Sequence, residues 1–275
     1  MTGVQTCALP IYIEDGDERR YGEPALHVEH GMPVALNAGD LLVGEGYRLL
    51  AGCETSAEVR AQMVRIASEG HRLLCLGQGA ELSWARSPKP MPALEVLEIF
   101  RRKTAPAFEV ALRLGAAYAG ASAETGKILT RYSEAIGIAY QIRDDLEDLS
   151  PGHAPDDLRA LRPSLPLAIA YERAKGGTKA AIEAAWRRES EMDFAQLRRL
   201  IDETGAESRC RNLLEMYKEQ AIRTLLDTRN ASLKGLLRRV VGKIFRLEIQ
   251  GWCSEFEARN AAGGETRAEA ASGIA

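Results

Sequence analysis

The stretch Ala135-Ile-Gly-Ile-Ala-Tyr-Gln-Ile142 runs without a break into the acidic stretch Arg143-Asp-Asp-Leu-Glu-Asp148. The first stretch is apolar on nearly every side of a helix, and such a helix is buried among other helices. Pro151 and Gly152 end the helix soon after the acidic residues. The sequence therefore predicts a buried helix that carries a cluster of carboxylates at its carboxyl end.

Apolar residues elsewhere recur at the three- and four-residue steps of amphipathic helices. Examples are Leu94, Leu97 and Phe100, and further on Leu197, Leu200 and Ile201. Strand signals are missing, and the breaks rich in Pro and Gly are short. We predict an all-α fold with one domain over residues 12–258, followed by a disordered tail over residues 259–275, which is poor in large apolar residues.

The composition is that of an ordinary globular protein, with 275 residues, 45% hydrophobic and 27% charged, and a formal net charge of −3. This charge argues against broad nucleic-acid binding, because no basic excess exists to neutralise phosphates. The five cysteines are scattered without a C-x-x-C pair, which argues against a disulfide framework or a zinc site and favours the cytoplasm. No apolar run reaches the roughly 18 residues of a membrane-spanning helix, so an integral membrane protein is not expected.

Three carboxylates of the acidic stretch share one sector of the predicted helix, since Asp144 and Asp148 lie four residues apart and Asp145 lies three before Asp148. Like charges at this spacing repel by about 0.2–0.5 kcal/mol per pair, and the helix dipole is also unfavourable to them. A solvated acidic helix end is the ordinary interpretation, but the continuation of a buried helix favours a bound cation. Oxygen ligands without Cys or His suit Mg²⁺, which suggests a diphosphate ligand.

A second acidic segment, Glu14-Asp-Gly-Asp-Glu18, is followed at once by Arg19 and Arg20. A charge run near a chain start is usually a solvated loop, and only pairing with the first cluster gives it meaning. Candidate partners for an anion are Arg19, Arg20, Lys103 and Arg162. For Lys103 and Arg162 taken singly, a surface position is the default.

Residues 1–11 differ in character from the acidic segment that follows them, with no periodicity, no helix cap and no charge. One back-translation, read from a GTG start, reproduces a common sequencing-adapter oligonucleotide whose last base, T, becomes the first base of the Tyr12 codon. We interpret residues 1–11 as a non-native, adapter-derived segment, with a natural disordered N-terminus as the alternative. On this interpretation a native Asp codon, GAY, would now read TAY, which encodes Tyr.

Several motifs follow one another along the chain. They are Gly22-x-Pro24-x-x-His27, Ala38-Gly-Asp40-Leu-Leu42, Gly77-Gln78 with Glu81, Lys103-Thr104-Ala105, Gln141-Ile-Arg-Asp-Asp-Leu-Glu-Asp148 and Arg162-x-Ser164-Leu-Pro166. In this order they resemble the trans-isoprenyl diphosphate synthases, the polyprenyl synthetase family, over residues 12 to about 250. The resemblance implies an isoprenoid-synthase-type helical bundle with a central substrate cavity, truncated at its N-terminus so that the first helices are missing.

The first aspartate-rich motif of the family is incomplete in this sequence. Its aspartates align with Ile11, Tyr12 and Asp15, so only Asp15 remains. Tyr12 is also the position at which the adapter interpretation permits a native Asp. The two observations together favour an interrupted gene over an evolved loss.

The cationic motifs also depart from the family pattern. The paired arginines that follow the first motif align with Arg20 and Tyr21, so that Arg19 could substitute only by a shift. The lysine of the family's G-K-x-T motif is Arg162 here, and the threonine is Ser164. Arginine keeps the positive charge and adds a bidentate fork for phosphate oxygens.

The resemblance implies a Mg²⁺-dependent prenyltransferase that condenses an allylic diphosphate with isopentenyl diphosphate, impaired in this copy by the lost aspartates. Diphosphate is a poor leaving group until its charge is neutralised, which explains the residue types. The implied metal ligands are Asp15, Asp144, Asp145 and Asp148. The implied catalytic residues are Lys103, Thr104 and Gln141. The implied substrate-binding residues are Arg19, Arg20, His27, Gln78, Lys103 and Arg162, and the family is homodimeric.

Three alternatives stay open at this point. The chain could be a catalytically silent helical subunit that partners an active synthase. It could be a class I terpene cyclase on the same fold, although cyclases typically carry an Asn/Ser/Glu pattern where this chain has Asp144-Asp145-x-x-Asp148. It could also be a helical scaffold without a ligand.

Overall fold

The structure is a computed structural model, and it describes residues 9–20, 23–149, 162–189 and 194–245. The described residues are almost entirely helical, which confirms the all-α prediction. The predicted tail over residues 259–275 lies outside the described residues, as does most of the segment over residues 1–11.

Twelve helices are described. In chain order they are α1 (Leu9–Asp15), α2 (Leu26–Glu29), α3 (Met32–Ala51), α4 (Ala57–Arg86), α5 (Ala93–Lys103), α6 (Ala105–Tyr118), α7 (Ala123–Glu147), α8 (Leu165–Arg173), α9 (Gly176–Trp186), α10 (Phe194–Thr204), α11 (Ala206–Thr224) and α12 (Ala231–Phe245). A single 3₁₀ turn, Leu225–Asp227, lies between α11 and α12. None of the described helices is both long enough and apolar enough to cross a membrane.

A short antiparallel strand pair between α1 and α2 departs from the prediction, which found no strand signals. Strand β1 (Arg19–Arg20) pairs with β2 (Glu23–Pro24), with Arg19 opposite Pro24 and Arg20 opposite Glu23. Two residues per strand are too few to give a period-two pattern of apolar residues, so the sequence offers no signal for them.

The chain divides into two compact units, Met1–Glu69 with Ala117–Gly120 and Gly70–Ala116 with Ala121–Ala275. In the first unit, α1 and α2 both pack against α3. Buried residues of this unit include Tyr12, Ala25, Ala35, Met63 and Ile66.

Helix α7 is the central helix of the second unit, where it packs against α5, α8 and above all α11. Residues 135–139 are all buried, as expected for a helix that is apolar on every side. Two apolar clusters meet along it. One joins α7 to α5, α8, α9 and α10, and the other joins it to α11 and α12.

Candidate active site

The junction between α5 and α6 carries the Lys103-Thr104-Ala105 motif. Helix α5 ends at Lys103 and α6 begins at Ala105. Thr104 lies between them, and its backbone N–H donates to the Phe100 carbonyl at 3.0 Å. Pro106 lacks a backbone N–H and suits the first turn of the new helix. One helix therefore ends and the next begins on either side of Thr104, whose side chain lies at the break.

Two glycines allow neighbouring helices to approach this junction. A Cβ atom on Gly77 of α4 would lie 2.5 Å from the Lys103 backbone nitrogen, and one on Gly137 of α7 would lie 2.5 Å from the Ala105 Cα atom. Such distances are far below van der Waals contact, so only glycine fits at either position. Gly77 belongs to the Gly77-Gln78 motif, whereas no motif in the sequence marks Gly137.

Thr104 and Gln141 meet in the structure. The Thr104 Oγ1 hydroxyl donates to Gln141 Oε1 at 3.0 Å. The bond joins the α5–α6 junction to α7, one turn before the acidic stretch. Two of the three implied catalytic residues are thus in direct contact, and Lys103 is the neighbour of one of them.

The third, Lys103, forms an ion pair with Glu81 on α4. The Lys103 Nζ and Glu81 Oε2 atoms are 3.0 Å apart, and both side chains are largely shielded from solvent. Gln78, three residues before Glu81 on the same helix, is buried. Glu81 belongs to the motif that begins at Gly77-Gln78, and the sequence alone indicates no role for it. Its contact with Lys103 places a carboxylate beside the ammonium group.

The acidic end of α7 receives positive charge from the chain itself. Arg143 Nη2 donates to Asp144 Oδ1 at 2.8 Å, and Arg143 Nε lies 3.3 Å from Glu147 Oε1. The same guanidinium donates through Nη1 to the Ile244 carbonyl at 2.8 Å, near the end of α12. Arg143 therefore relieves part of the repulsion between the carboxylates at this helix end, without a metal ion.

Arg198 of α10 supplies a second cation at the same helix end. Its Nη1 atom donates to the Leu149 carbonyl at 2.6 Å, and its other nitrogens contact Asp202 and Glu207. A cation at a helix carboxyl end is favourable because it opposes the helix dipole. The contact spans 49 positions, so no local spacing in the sequence indicates it.

The two neighbouring aspartates of α7 have different surroundings. The Asp144 side chain is 38% exposed. Asp145 is only 4% exposed, and its Oδ2 atom accepts a hydrogen bond of 2.7 Å from the backbone N–H of Leu165. Arg162 is half-buried three residues before Leu165. The hydrogen bond therefore connects the acidic motif to the segment that carries Arg162.

The carboxylates at the end of α7 offer a magnesium ion two donors and not a complete protein site. Within the described parts of the chain, no three Asp, Glu, His or Cys side chains come together as a ready-made metal cluster. Asp144 and Asp148, one turn apart, are both partly accessible. Since Mg²⁺ usually takes one or two protein carboxylates with water and phosphate oxygens, these two donors suit it.

The remaining implied site residues belong to the first unit. Asp15 is half-buried at the last position of α1, Arg19 is exposed on β1 and His27 is half-buried on α2. The backbone of Arg20 lies in β1, and its side chain lies outside the described part of the structure. The second unit thus holds the other implied site residues, which are Gln78, Lys103, Thr104, Gln141, Asp144, Asp145, Asp148 and Arg162.

Comparison with known proteins finds similar isoprenyl diphosphate synthases. The short chain isoprenyl diphosphate synthase of Methanocaldococcus jannaschii is 31% identical over 137 residues, which are 50% of this chain and 41% of that protein. The geranylfarnesyl diphosphate synthase of Aeropyrum pernix is 28% identical over 239 residues, which are 82% of this chain and 74% of that protein. The chain therefore matches less than half the length of the first relative.

The fold is shared with solved structures at low sequence identity. A geranylgeranyl pyrophosphate synthase from Corynebacterium glutamicum, complexed with isoprenyl diphosphate and magnesium, matches with a TM-score of 0.77 at 23% identity, covering 90% of this chain and 77% of that chain. The sequence profile described as polyprenyl synthetase matches residues 13–203, which is well over half of the chain. This chain therefore belongs to the polyprenyl synthetase family.

Proposed function

We propose that this protein is a prenyltransferase that condenses an allylic diphosphate with isopentenyl diphosphate to give a longer polyprenyl diphosphate. The observation that carries the proposal is the 3.0 Å hydrogen bond between Thr104 and Gln141, beside Lys103. Three residues that the family resemblance implicates in catalysis thus come from two distant parts of the chain to one place. The relatives named as isoprenyl and geranylfarnesyl diphosphate synthases support the same reaction class.

Cationic side chains bind the two diphosphates in this proposal. Lys103 offers a compact ammonium, and Arg162 offers a planar fork that matches two phosphate oxygens. Both would hold the allylic diphosphate. In the first unit, Arg20 and Arg19 are the cations that the family resemblance assigns to diphosphate contacts. His27 and Gln78 would add polar contacts. Glu81 keeps the Lys103 ammonium in place before substrate arrives.

The reaction breaks the allylic C–O bond, and its electron pair leaves with the diphosphate. The double bond of isopentenyl diphosphate then attacks the allylic carbon, and a proton is lost to the released diphosphate, so no protein base is needed. Asp144 and Asp148 are the residues of the second unit that would hold Mg²⁺, which would supply positive charge to neutralise the leaving group. Thr104 and Gln141 fix each other's orientation beside the reacting carbons. Asp145 differs from these ligands, because one of its oxygens is engaged by a backbone amide.

Low activity of the present chain is part of the proposal. Ile11 and Tyr12 occupy the positions of two family aspartates, and neither side chain offers an oxygen that suits a hard cation. Tyr12 is also buried, with 8% of its surface exposed. The relative solved with magnesium supports a metal-dependent reaction in the family.

The double variant Ile11→Asp with Tyr12→Asp tests both points. We expect Mg²⁺-dependent release of diphosphate from geranyl diphosphate plus isopentenyl diphosphate to rise about tenfold or more over the parent chain. The control is Ile11→Asn with Tyr12→Asn, which loses the same packing but gains no carboxylate. Equal rates for the two double variants would contradict the proposal and favour a silent helical subunit.

Diphosphate binding can be measured on the chain as it is. Isothermal titration with geranyl diphosphate and Mg²⁺ should give an affinity at least about tenfold weaker in Lys103→Ala than in the parent, because a charge-assisted contact is lost. Lys127→Ala is the control, since this lysine is exposed on α7. Equal losses in both variants would remove Lys103 from the site.

A homodimer completes the proposal. Helix α3 exposes several large apolar side chains, among them Val34, Leu41 and Leu49, and such a surface is typical of a face covered by a partner. Light scattering after size exclusion should give twice the chain mass. Leu41→Arg should shift the mass towards that of a monomer, and a monomeric parent chain would exclude the dimer.

A further inference from the structure

The middle aspartate of the acidic motif has an environment unlike that of a metal ligand. Asp145 is almost completely buried, and its Oδ2 atom lies 2.7 Å from the backbone nitrogen of Leu165. Leu165 is the first residue of α8, so Asp145 contacts the positive end of a helix. The preceding residue, Asp144, instead has a partly exposed carboxylate.

The amides at the start of α8 show why a carboxylate is needed there. Pro166 has no N–H, the Leu167 N–H donates to Ser164 Oγ at 3.4 Å, and the Ala168 N–H donates to the Ser164 carbonyl at 3.0 Å. The buried Leu165 amide is the remaining donor of the first turn, and Asp145 accepts from it. Without Asp145 this amide would lose its acceptor in a buried place.

A third helix, α11, also lies near Asp145. Cys210 of α11 is fully buried, and its thiol pKa is raised first by burial and then by the negative charge of Asp145. The carboxylate therefore lies where α7, α8 and α11 meet, and not at the accessible edge that Asp144 occupies.

We propose that Asp145 is a positioning residue that holds the Arg162–Ser164 segment against the end of α7, and that Asp144 and Asp148, without Asp145, supply the carboxylates of α7 to the metal. Arg162 lies three residues before the amide that Asp145 binds. Fixing that amide fixes where the Arg162 guanidinium can reach. The role of Arg162 in diphosphate binding rests on the proposed function.

Asparagine and alanine at position 145 separate this role from metal binding. Asp145→Asn keeps an oxygen acceptor for the Leu165 amide but removes the negative charge, whereas Asp145→Ala removes both. Asp144→Asn is the matched control for a true ligand, since Asp144 is accessible on the same helix end. All variants are made in the full chain, and the probes are Mn²⁺ alone and inorganic diphosphate with Mn²⁺.

We expect Asp145→Asn to keep the melting temperature and to change Mn²⁺ affinity by less than about twofold, while Asp144→Asn weakens Mn²⁺ binding about tenfold. Asp145→Ala should lower the melting temperature by roughly 2–10 °C and weaken diphosphate binding. The loss of diphosphate affinity in Asp145→Ala should not add to the loss in Arg162→Ala, because both variants weaken the contact between Arg162 and diphosphate. The proposal would be overturned if Asp145→Asn weakened Mn²⁺ binding as much as Asp144→Asn does. It would also be overturned if Asp145→Ala kept the melting temperature of the parent.

Amide hydrogen exchange separates this proposal from the proposed function. If the parent chain binds no diphosphate, the prenyltransferase assignment fails, but exchange over residues 162–168 still decides the role of Asp145. Exchange there should quicken in Asp145→Ala and stay at the parent rate in Asp145→Asn. Equal exchange rates in the two variants would refute the positioning role. This measurement can still be made if Asp145→Ala is too unstable for binding measurements.

Discussion

Thr104 Oγ1 donates a hydrogen bond of 3.0 Å to Gln141 Oε1 across a separation of 37 positions in the chain. Thr104 lies at the break between α5 and α6, and Gln141 lies on the buried helix that ends in the acidic motif. The bond thus ties the backbone next to Lys103 to the acidic end of α7. The packing of these helices therefore fixes the distance between the Lys103 backbone and the aspartates that begin at Asp144.

Removing the Thr104 hydroxyl should weaken both stability and turnover. Thr104→Val keeps the branched shape but offers no donor to Gln141, so we expect the free energy of unfolding to fall by about 1–3 kcal/mol. In the Ile11→Asp and Tyr12→Asp background, diphosphate release should slow by about tenfold or more, because the reacting groups lose their alignment. Urea unfolding and steady-state kinetics measure the two effects.

Thr104→Ser is the matched control for this prediction, since it keeps the hydroxyl group. It should retain most of the stability and of the turnover. If Thr104→Val and Thr104→Ser behave alike, the hydrogen bond does not position the site.

The two glycines at the α5–α6 junction should not tolerate a side chain. A Cβ atom at Gly77 or Gly137 would lie 2.5 Å from backbone atoms of Lys103 or Ala105, and a backbone atom cannot rotate away. We expect Gly77→Ala and Gly137→Ala each to lower the free energy of unfolding by about 1–3 kcal/mol. Urea unfolding followed by circular dichroism is the measurement.

Each of these variants has a control on its own helix. Gly79 of α4 and Gly126 of α7 have no atom within 4 Å of an added Cβ. Gly79→Ala and Gly126→Ala should leave stability unchanged or raise it by about 0.5–1 kcal/mol, since alanine favours a helix. A loss at these positions equal to that at Gly77 and Gly137 would show helix propensity, and not close approach, to be the cause.

The sequence predicts the helical fold well and shows the motifs directly, because both depend on residues a few positions apart. The unbroken burial of residues 135–139 follows from a helix that is apolar on every side. The partners of the acidic motif are different in kind. Asp145 contacts Leu165 and Arg198 contacts Leu149, and both contacts depend on how distant helices dock. No spacing within the motif distinguishes Asp144 from Asp145, so the sequence assigned them one role.

Glu98 should make α5 sensitive to acid. Hydrogen bonds from Arg101, opposed by partial burial and supported by Arg102, lower the pKa of Glu98 to about 2. In the unfolded chain the pKa of a glutamate is about 4.3, so the ion pairs stabilise the fold fully above about pH 5 and lose that effect as the pH falls towards 2. Because the side chain is 41% exposed, the contribution is under about 1 kcal/mol.

Glu98→Gln provides the test of this pH dependence. The variant should be less stable than the parent near neutral pH, and most of the difference should be lost as the pH falls from about 5 to about 2. Urea unfolding at several pH values measures it. Raised salt should reduce the difference near neutral pH, since the pair is partly exposed. A difference that is constant with pH would exclude the charge of Glu98 as its source.

Arg198 should stabilise the end of α7 and compete with a metal for its negative charge. Arg198→Ala removes the donor to the Leu149 carbonyl and the contacts to Asp202 and Glu207. We expect the free energy of unfolding to fall by about 1–3 kcal/mol. Added Mn²⁺ should restore more stability to this variant than it adds to the parent, because the negative end of α7 has lost a nearby cation.

Arg199→Ala is the control for this prediction, since Arg199 is the exposed neighbour on the same helix. It removes an equal charge without touching the end of α7, so its stability and its response to Mn²⁺ should match the parent. Melting temperatures of the three proteins, with and without Mn²⁺, decide the matter. If the two alanine variants respond alike, general loss of positive charge explains the effect. A specific response in Arg198→Ala instead means that an arginine and a metal share the compensation of the carboxylates on α7.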